Sequence, residues 1–497
     1  MPTSTAADAS PAAARAVRLE QIDALPGGDA QPLALLFERA CLLDSLGRNE
    51  DARRAFLAVL ARDSGHAGAL NELGRLLDRT GYHIAARTVF GRAVDLHPDD
   101  PTGQGNLASS LLDAGDAVTA RRHYEIAARL EPDNLEAHRC LAILDLREGD
   151  PAGAAAHARV GFRAGARTWP YRGSATPIPV VVLHSALGGN IPIDRFIDDS
   201  VFAKWTVVAE FADPAQPLPP HALIVNAIGD ADRCRTGLRA AQALLARTSA
   251  PVVNLPQRVR ATARPINARR LAHLPGVIAP RAVTRSRSAL TGPQAAHALA
   301  AAGFQWPLIL RTPGYHTGKN CLLVERAADL TSAVAALPGD DLLVVQFHDV
   351  RDSDGAYRKY RVMIVDGTIF PLHLAISTHW MVHYYTAEMH DHANRAQDAN
   401  FVHDMPRALG PAAMAALEGM AARLGLDYGG VDFALDPAGR IVVFEANATM
   451  IVAPPPDDVR WSYRRAPIER IEAAVRAMLL RRCDRAIPAQ AVVAARA

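Results

Sequence analysis

The sequence predicts a multidomain α+β chain: an α-solenoid of helix pairs, then an α/β subdomain, then a region of β-hairpins and helices. Three observations predict it. Gly47, Gly81, Gly115 and Gly149 recur at steps of 34 residues. From Ile178 onward, apolar strand-like runs alternate with amphipathic helical segments, the pattern of a parallel sheet. The stretch from Tyr428 to Asn447 reads as a hairpin that carries Asp432, Glu445 and Asn447. At 497 residues the chain is too long for a single core.

Composition bounds the rest. A formal net charge of +2 selects no class of partner. The five cysteines are odd in number and lack metal-ligand spacing, which leads us to expect a reduced, cytoplasmic protein. No apolar run reaches the roughly 20 residues of a membrane span, and no signal-peptide core is expected at the N-terminus. Only Lys204, Lys319 and Lys359 are lysines among 54 basic residues, so arginine is expected where related chains carry lysine.

Residues 1–27, rich in Ala, Ser and Pro, are expected to be disordered. Residues 28–166 hold the repeats. Ala52, Ala86, Ala120 and Ala154 keep the glycine step, as do Ala40, Gly74, Ala108 and Ala142 and the rings Phe56, Phe90 and Tyr124. Small residues let antiparallel helices cross closely, the glycine permits the turn, and Pro98 and Pro132 end two of the units. The pattern resembles the tetratricopeptide repeat in about four copies. That resemblance implies a concave surface for a peptide or protein, with Asn71, Asn106 and Arg139 on the first helices as a clamp for backbone or carboxylate. The alternative is a spacer or a homodimer surface. Residues 167–177 read as a linker, the stretch Thr168 through Pro179 holding three prolines.

Residues 178–265 form the α/β subdomain. Its strands are Ile178–Leu183, Val207–Phe211 and Ala222–Asn226, with a helix from Gly237 to Arg247. Gly188-Gly189 does not make a dinucleotide fingerprint. Arg233 to Val324 contains no acidic residue, a field that favours anionic ligands over nucleic acid, for which neither aromatic interleaving nor a lysine tract is present.

Residues 266–482 carry the chemistry. A strand ending in Arg311 runs into the loop Thr312–Asn320, with Gly314, Gly318 and Lys319, and returns as Cys321–Val324. Leu342–Asp349 is a strand entering a polar turn. Tyr357–Ile369, with Lys359 and Arg361, is a hairpin closed by Asp366-Gly367. In the last hairpin, Asp436-Pro437-Ala438-Gly439 fits a type I turn. Pairing Leu435 with Arg440 would set Asp432 opposite Val443 and diagonal to Glu445. Two carboxylates and an amide oxygen make a hard oxygen site suited to Mg²⁺ held with substrate phosphates. Residues 483–497 are expected to form a flexible tail.

The order of these motifs, over roughly residues 178 to 480, resembles the ATP-grasp superfamily. The segment Val252-Val253-Asn254-Leu255-Pro256 is similar to the family's junction between its first domain and the lid. The resemblance implies two α+β lobes that clamp ATP. It implies phosphate contacts from Arg311, where lysine is usual, and from Arg264. It implies a glycine loop closing over phosphates and a hinge at Gln346, Phe347, His348 and Asp349 that reads adenine and ribose. Arg361 matches a position facing the transferred phosphoryl group, and Lys359 lies beside it. Asp432, Glu445 and Asn447 match the Mg²⁺ ligands.

Histidines crowd the stretch between hinge and hairpin. His373, His379 and His383 lie near Trp380, Tyr384 and Tyr385, and His379 and His383 would share a face if helical. They fit a substrate-pocket wall, ordinary partly buried histidines, or a zinc site. The expected activity is that of an ATP-dependent ligase joining a carboxylate to an amine through an acyl phosphate, on a peptide or protein docked by the repeats. Two alternatives remain open: a repeat scaffold on a degenerate nucleotide-sensing domain, and phosphoryl transfer without ligation.

Overall fold

In the computed structural model, residues 11–27, 30–213, 215–315, 318–384 and 386–484 are described. The chain divides into two compact units, Met1–Arg163 and Ala164–Ala497.

The first unit is helical: α1 (Pro11–Asp23), α2 (Leu33–Ser45), α3 (Asn49–Arg62), α4 (Ala67–Arg79), α5 (His83–Leu96), α6 (Pro101–Asp113), α7 (Ala117–Leu130), α8 (Leu135–Glu148) and α9 (Pro151–Gly161). The helices from α2 to α9 form four pairs. Each periodic glycine ends a first helix with φ between 74° and 90°, the left-handed region. The next residue then donates to a carbonyl five residues back, as in Arg48 N to Leu43 O (3.0 Å) and Tyr82 N to Leu77 O (2.8 Å). The period in the sequence is thus the period of one helix-ending motif. At the crossing of α4 and α5, a Cβ on Gly74 would lie 2.3 Å from the Phe90 ring, so only glycine fits there.

Part of the expected disorder at 1–27 is corrected. Residues 11–23 are helical, because alanine-rich sequence is also the best helix former and Leu19 and Ile22 find a core to enter. Arg18 and Asp23 pair with Glu38 and Arg39 on α2. Residues 1–10 lie outside the described residues, as do 485–497 of the expected tail. Cys483, assigned to that tail, is buried at the end of a helix.

Among the described residues, the second unit holds three sheets. The first has the order β1-β3-β2-β4-β5, from β1 (Arg167–Thr168), β2 (Ile178–His184), β3 (Phe202–Val208), β4 (Leu223–Asn226) and β5 (Val252–Val253). It is parallel except at β1, as the strand–helix alternation predicts. Strand order diverges at β2 and β4, and the loops after their carboxyl ends open a crevice. The expected strand 207–211 is corrected: β3 ends at Val208. Glu210 turns back to accept bonds from the Ser185 hydroxyl (2.5 Å) and the Ala186 amide (3.0 Å), which fixes the loop after β2. The linker 167–177 is also shorter than expected, since Arg167 and Thr168 pair with Thr206 and Trp205.

The second sheet is antiparallel in the order β7-β10-β8-β9, from β7 (Ala282–Ser286), β8 (Leu308–Arg311), β9 (Cys321–Val324) and β10 (Asp341–Gln346). The third has the order β12-β11-β13-β14-β6, from β6 (Val277–Ile278), β11 (Tyr357–Val365), β12 (Thr368–Ser377), β13 (Tyr428–Leu435) and β14 (Ile441–Asn447). The helices of this unit are α10 (Arg235–Leu245), α11 (Pro256–Arg260), α12 (Arg264–Leu271), α13 (Arg287–Thr291), α14 (Ala295–Ala301), α15 (Leu330–Ala336), α16 (His392–His403), α17 (Met405–Leu424) and α18 (Arg465–Asp484).

The expected boundary at 265/266 falls inside α12, and one hydrophobic core runs through both sides of it. Asn254 explains the junction. It is buried, with φ 58°, and its amide oxygen accepts from Asp427 N (3.0 Å) and Tyr428 N (2.9 Å) while its Nδ2 donates to Tyr428 O (2.8 Å). A side chain of the α/β segment thereby anchors the start of β13.

Candidate functional site

A cleft of about 890 Å³ is lined by residues from all three sheets and their loops. The hairpin β13–β14 supplies its acidic wall. The turn forms as the sequence implies, with Gly439 N donating to Asp436 O (2.8 Å), but the expected register is corrected. Leu435 pairs with Ile441, and a bulge between Asp432 and Phe433 brings Asp432 directly opposite Glu445. Without that extra residue Asp432 would face Phe444, so the bulge is what joins the two carboxylates.

Both carboxylates are held by cations. Asp432, 3% exposed, accepts from Arg361 Nε (2.5 Å) and Nη2 (2.7 Å), with Lys359 Nζ at 3.3 Å. Burial pushes its carboxyl up, but the Arg361 and Lys359 charges outweigh burial and hold it well below the usual carboxylate range. Glu445 Oε1 accepts from Arg264 Nη2 (2.6 Å) and Asn447 Nδ2 (2.7 Å). Asn447 Oδ1 in turn accepts from Thr449 N and Oγ1. Burial acts to lower the Arg264 pKa, and the Glu445, Asp232 and Asp230 charges reverse it to a net rise. Arg311, at the end of β8, donates to the Tyr315 carbonyl; burial and the neighbouring Arg264 lower its pKa.

Most residues singled out in the sequence converge here. Arg264, Arg311, Lys359 and Arg361 line the cleft with Asp432, Glu445 and Asn447. Gly314, Gly318, Gln346, Phe347, His348, His373 and His383 line it too. Gly318 has φ 75°, the left-handed region that favours glycine. His316 and Thr317 lie outside the described residues. The Gln346 side chain is spent on structure, exchanging bonds of 2.8 and 2.9 Å with the Gln305 backbone.

Three residues are not among those lining the cleft. Lys319 lies with Nζ 5.9 Å from the Tyr315 ring centre, Asp349 forms an ion pair with Arg351, and the His379 side chain is 81% exposed beside Glu388. His379 and His383 share no helical face, because the chain from Thr378 to Tyr384 is irregular. Burial, then Lys359 and Arg361, lower the His383 pKa. Among the described residues no three His, Cys, Asp or Glu side chains gather as a metal-holding group. Trp461 and Arg464, which also line the cleft, were not read from the sequence; an aromatic- and arginine-dense run, Arg460 to Arg465, is the signal that marks them.

The clamp expected on the repeats is corrected. Asn71 is buried, donates to Asp100 Oδ2 (2.7 Å) and accepts from Asn106 Nδ2 (3.1 Å). Arg139 Nε donates to Gly161 O (2.7 Å). These side chains tie helices together. A separate hollow of about 260 Å³ is lined by Arg75, Arg79, Phe90, Asn106 and Ser109, among others. No helix among the described residues is long and apolar enough to cross a membrane.

Comparison with known proteins bears on the first unit. A family model described as tetratricopeptide repeat matches residues 37–101 and 106–166. A TPR repeat-containing thioredoxin, TTL4 of Arabidopsis thaliana, is 29% identical over 97 residues. That match covers 20% of this chain and 14% of the relative, so the chain spans only a small part of that protein. Among solved structures, MamA from Desulfovibrio magneticus RS-1 is 20% identical with a TM-score of 0.26, covering 29% of this chain and 81% of that one. A MamA RS-1 double mutant gives 20% identity and a TM-score of 0.27, with 30% and 84% covered. The N-terminal region is a helical solenoid of tetratricopeptide repeats.

Proposed function

We propose that the second unit is an ATP-dependent, Mg²⁺-requiring ligase of the ATP-grasp type that joins a carboxylate to an amine, and that the repeats dock a peptide or protein substrate. One observation carries the reading: a single cleft gathers Arg264, Arg311, Lys359 and Arg361 around Asp432, Glu445 and Asn447. The donor set fits Mg²⁺, being two carboxylates on facing strand positions and an amide oxygen. Bound there, Mg²⁺ would supply charge neutralisation to phosphate oxygens. The guanidinium groups of Arg264 and Arg361, now on the two carboxylates, have phosphate oxygens as their alternative partners.

The chemistry asks the protein for position and charge. A carboxylate oxygen attacks the terminal phosphorus of ATP and ADP leaves; an amine then attacks the acyl carbon and phosphate leaves. Arg361 and Lys359 offset the charge gathered in the first step, and the surrounding walls keep water from the acyl phosphate. The test is ADP release from the full chain with Mg²⁺-ATP and pooled amino acids and peptides, with products identified by mass. A new amide supports ligation. A phosphorylated acceptor means transfer without ligation. Absence of nucleotide binding overturns the reading.

A second reading, a nucleotide-sensing scaffold, draws on the two ion pairs that hold Asp432 and Glu445. It expects binding without turnover.

A further inference from the structure

One row of side chains crosses the third sheet. Arg361 on β11 is the register partner of Asp432 on β13, and Asp432 is the partner of Glu445 on β14. Cross-strand partners lie on one face with their Cβ atoms about 4.5–5.5 Å apart, so a cation and two carboxylates stand in line. Lys359, two residues before Arg361 on β11, joins the same face. Arg264, at the start of α12, reaches the far end of the row.

Each proposed metal ligand in this row is already engaged. Asp432 Oδ1 accepts from Arg361 Nε (2.5 Å), and Oδ2 accepts from Arg361 Nη2 (2.7 Å) with Lys359 Nζ at 3.3 Å. This is the two-pronged pairing that suits a guanidinium to a carboxylate. Glu445 Oε1 accepts from Arg264 Nη2 (2.6 Å) and Asn447 Nδ2 (2.7 Å). The Asn447 oxygen accepts from Thr449 N (3.0 Å) and Oγ1 (2.9 Å). A divalent cation arriving alone therefore meets the charges of Arg361, Lys359 and Arg264 on the two carboxylates. It must also break the two-pronged pair to reach Asp432. Carboxylates neutralised at contact distance attract a further cation weakly.

Polyphosphate reverses the balance. A guanidinium pairs with phosphate through the same fork that it offers a carboxylate. The Arg361 and Arg264 side chains are 22% and 18% exposed and line the cleft, so each can turn to an incoming phosphate from a fixed backbone position. Each turn frees a carboxylate beside the phosphate just bound. Phosphate sites hold Mg²⁺ in that way, by one or two carboxylates together with phosphate oxygens.

We propose that Arg361 and Arg264 mask the metal ligands. They close Asp432 and Glu445 to a free divalent cation and release them when a polyphosphate takes the guanidinium groups, so that metal and polyphosphate bind with positive coupling. Such coupling is reciprocal, each ligand tightening the other by the same factor. The inference rests on the proposed ligase reading for the identity of the polyphosphate; the masking rests on the contacts.

The test is titration of the full chain with Mn²⁺ alone, the free ion being followed by electron spin resonance. Wild type should bind weakly. Arg361→Gln leaves Lys359 on Oδ2 but opens Oδ1, and should bind Mn²⁺ at least about tenfold tighter; Arg264→Gln should act likewise through Glu445. Adding Asp432→Asn to Arg361→Gln should abolish the gain. Circular dichroism checks that each variant folds. Should Arg361→Gln fail to fold, Arg264→Gln with and without Glu445→Gln decides in its place. Wild-type binding as tight as that of the single variants overturns the proposal, as does a gain that survives loss of the carboxylate. A non-hydrolysable ATP analogue, titrated by calorimetry, should bind wild type at least about tenfold tighter with Mn²⁺ than without it, and the difference should shrink in Arg361→Gln. Equal analogue affinity with and without Mn²⁺ also overturns it. Failure of the analogue to bind at all sinks the ligase reading, and the Mn²⁺ comparison alone then decides on the mask.

Discussion

Asp432→Asn separates a metal-holding carboxylate from a structural one. In the wild type, Asp432 takes both Arg361 donors and lies 3.3 Å from Lys359, with its own side chain 4% exposed. Asparagine keeps one acceptor and turns the other toward Arg361 as a donor. Breaking a buried pair costs about 3–5 kcal/mol, but Arg361 and Lys359 open on the cleft and can be rehydrated, so we expect about 2–3 kcal/mol of lost stability. The pH dependence follows. Asp432 has a lowered folded-state pKa, so its contribution is present above the unfolded value near pH 4 and is lost as pH falls below it. The variant should therefore differ from wild type at neutral pH and converge with it in acid. Arg361 and Lys359, released from the carboxylate, should bind metal-free ATP at least as well as before. Turnover should fall by about two to three orders of magnitude, the scale of losing one charge-stabilising group. Urea denaturation, calorimetry with an ATP analogue and a coupled ADP assay read the three quantities. Unchanged turnover refutes the metal-site assignment; parallel loss of binding and turnover means that Asp432 serves only to hold Arg361.

Other outcomes follow from the same contacts. Gly74→Ala drives a methyl into the Phe90 ring and should cost about 1–3 kcal/mol, whereas Gly81→Ala, at φ 88° with open space around it, should cost about 1–2 kcal/mol of backbone strain alone; urea midpoints rank them. A chain beginning at Ala164 should fold and bind nucleotide, while one beginning at Tyr171 loses β1 and Trp169, whose indole donates to Thr206 (2.9 Å), and should melt earlier in circular dichroism. Deleting the repeats should raise apparent KM for the true substrate by orders of magnitude through lost effective concentration, with basal ATP hydrolysis little changed. Unchanged KM with an altered molecular mass would make the array a dimerisation surface.

The repeat array was legible because each unit meets only its neighbours, so its rules repeat along one dimension. Gly47 to Gly149 and the small residues at the crossings report a local backbone state and a local contact. The hairpins were legible for the same reason, since Asp436 to Gly439 and Asp366-Gly367 specify turns within a few residues. The register of β13 on β14 was not, because a one-residue bulge beside Asp432 leaves no mark in composition. Helix α1 was misread because alanine signals both low complexity and helix, and only burial of Leu19 and Ile22 decides between them. The contact of Arg464 with His373 was not legible, because the two are far apart in sequence and meet only where the turn Val459–Arg464 reaches β12.

The arginines of the cleft are more than a bias of composition. Arg311 and Arg264 are half-buried; burial and the Arg264 charge lower the Arg311 pKa, whereas the acids around Arg264 turn its own shift into a rise. A lysine in the Arg311 position would face the same burial from a much lower starting pKa, and desolvated lysines give up their proton. Guanidinium holds its charge under those conditions and offers a planar fork to phosphate or carboxylate. Lys359 is the instructive exception. It stands 3.3 Å from Asp432, whose low pKa keeps a negative charge beside it at every working pH. Lysine stands here beside a fixed anion, whereas Arg311 donates to the Tyr315 carbonyl. On that reasoning Arg311→Lys should weaken nucleotide binding at neutral pH and recover part of it as pH is lowered, and Lys359→Arg should leave the pH profile of binding unchanged. Calorimetric titration of an ATP analogue across pH 6–9 measures both, and an Arg311→Lys variant with a flat profile would refute the argument.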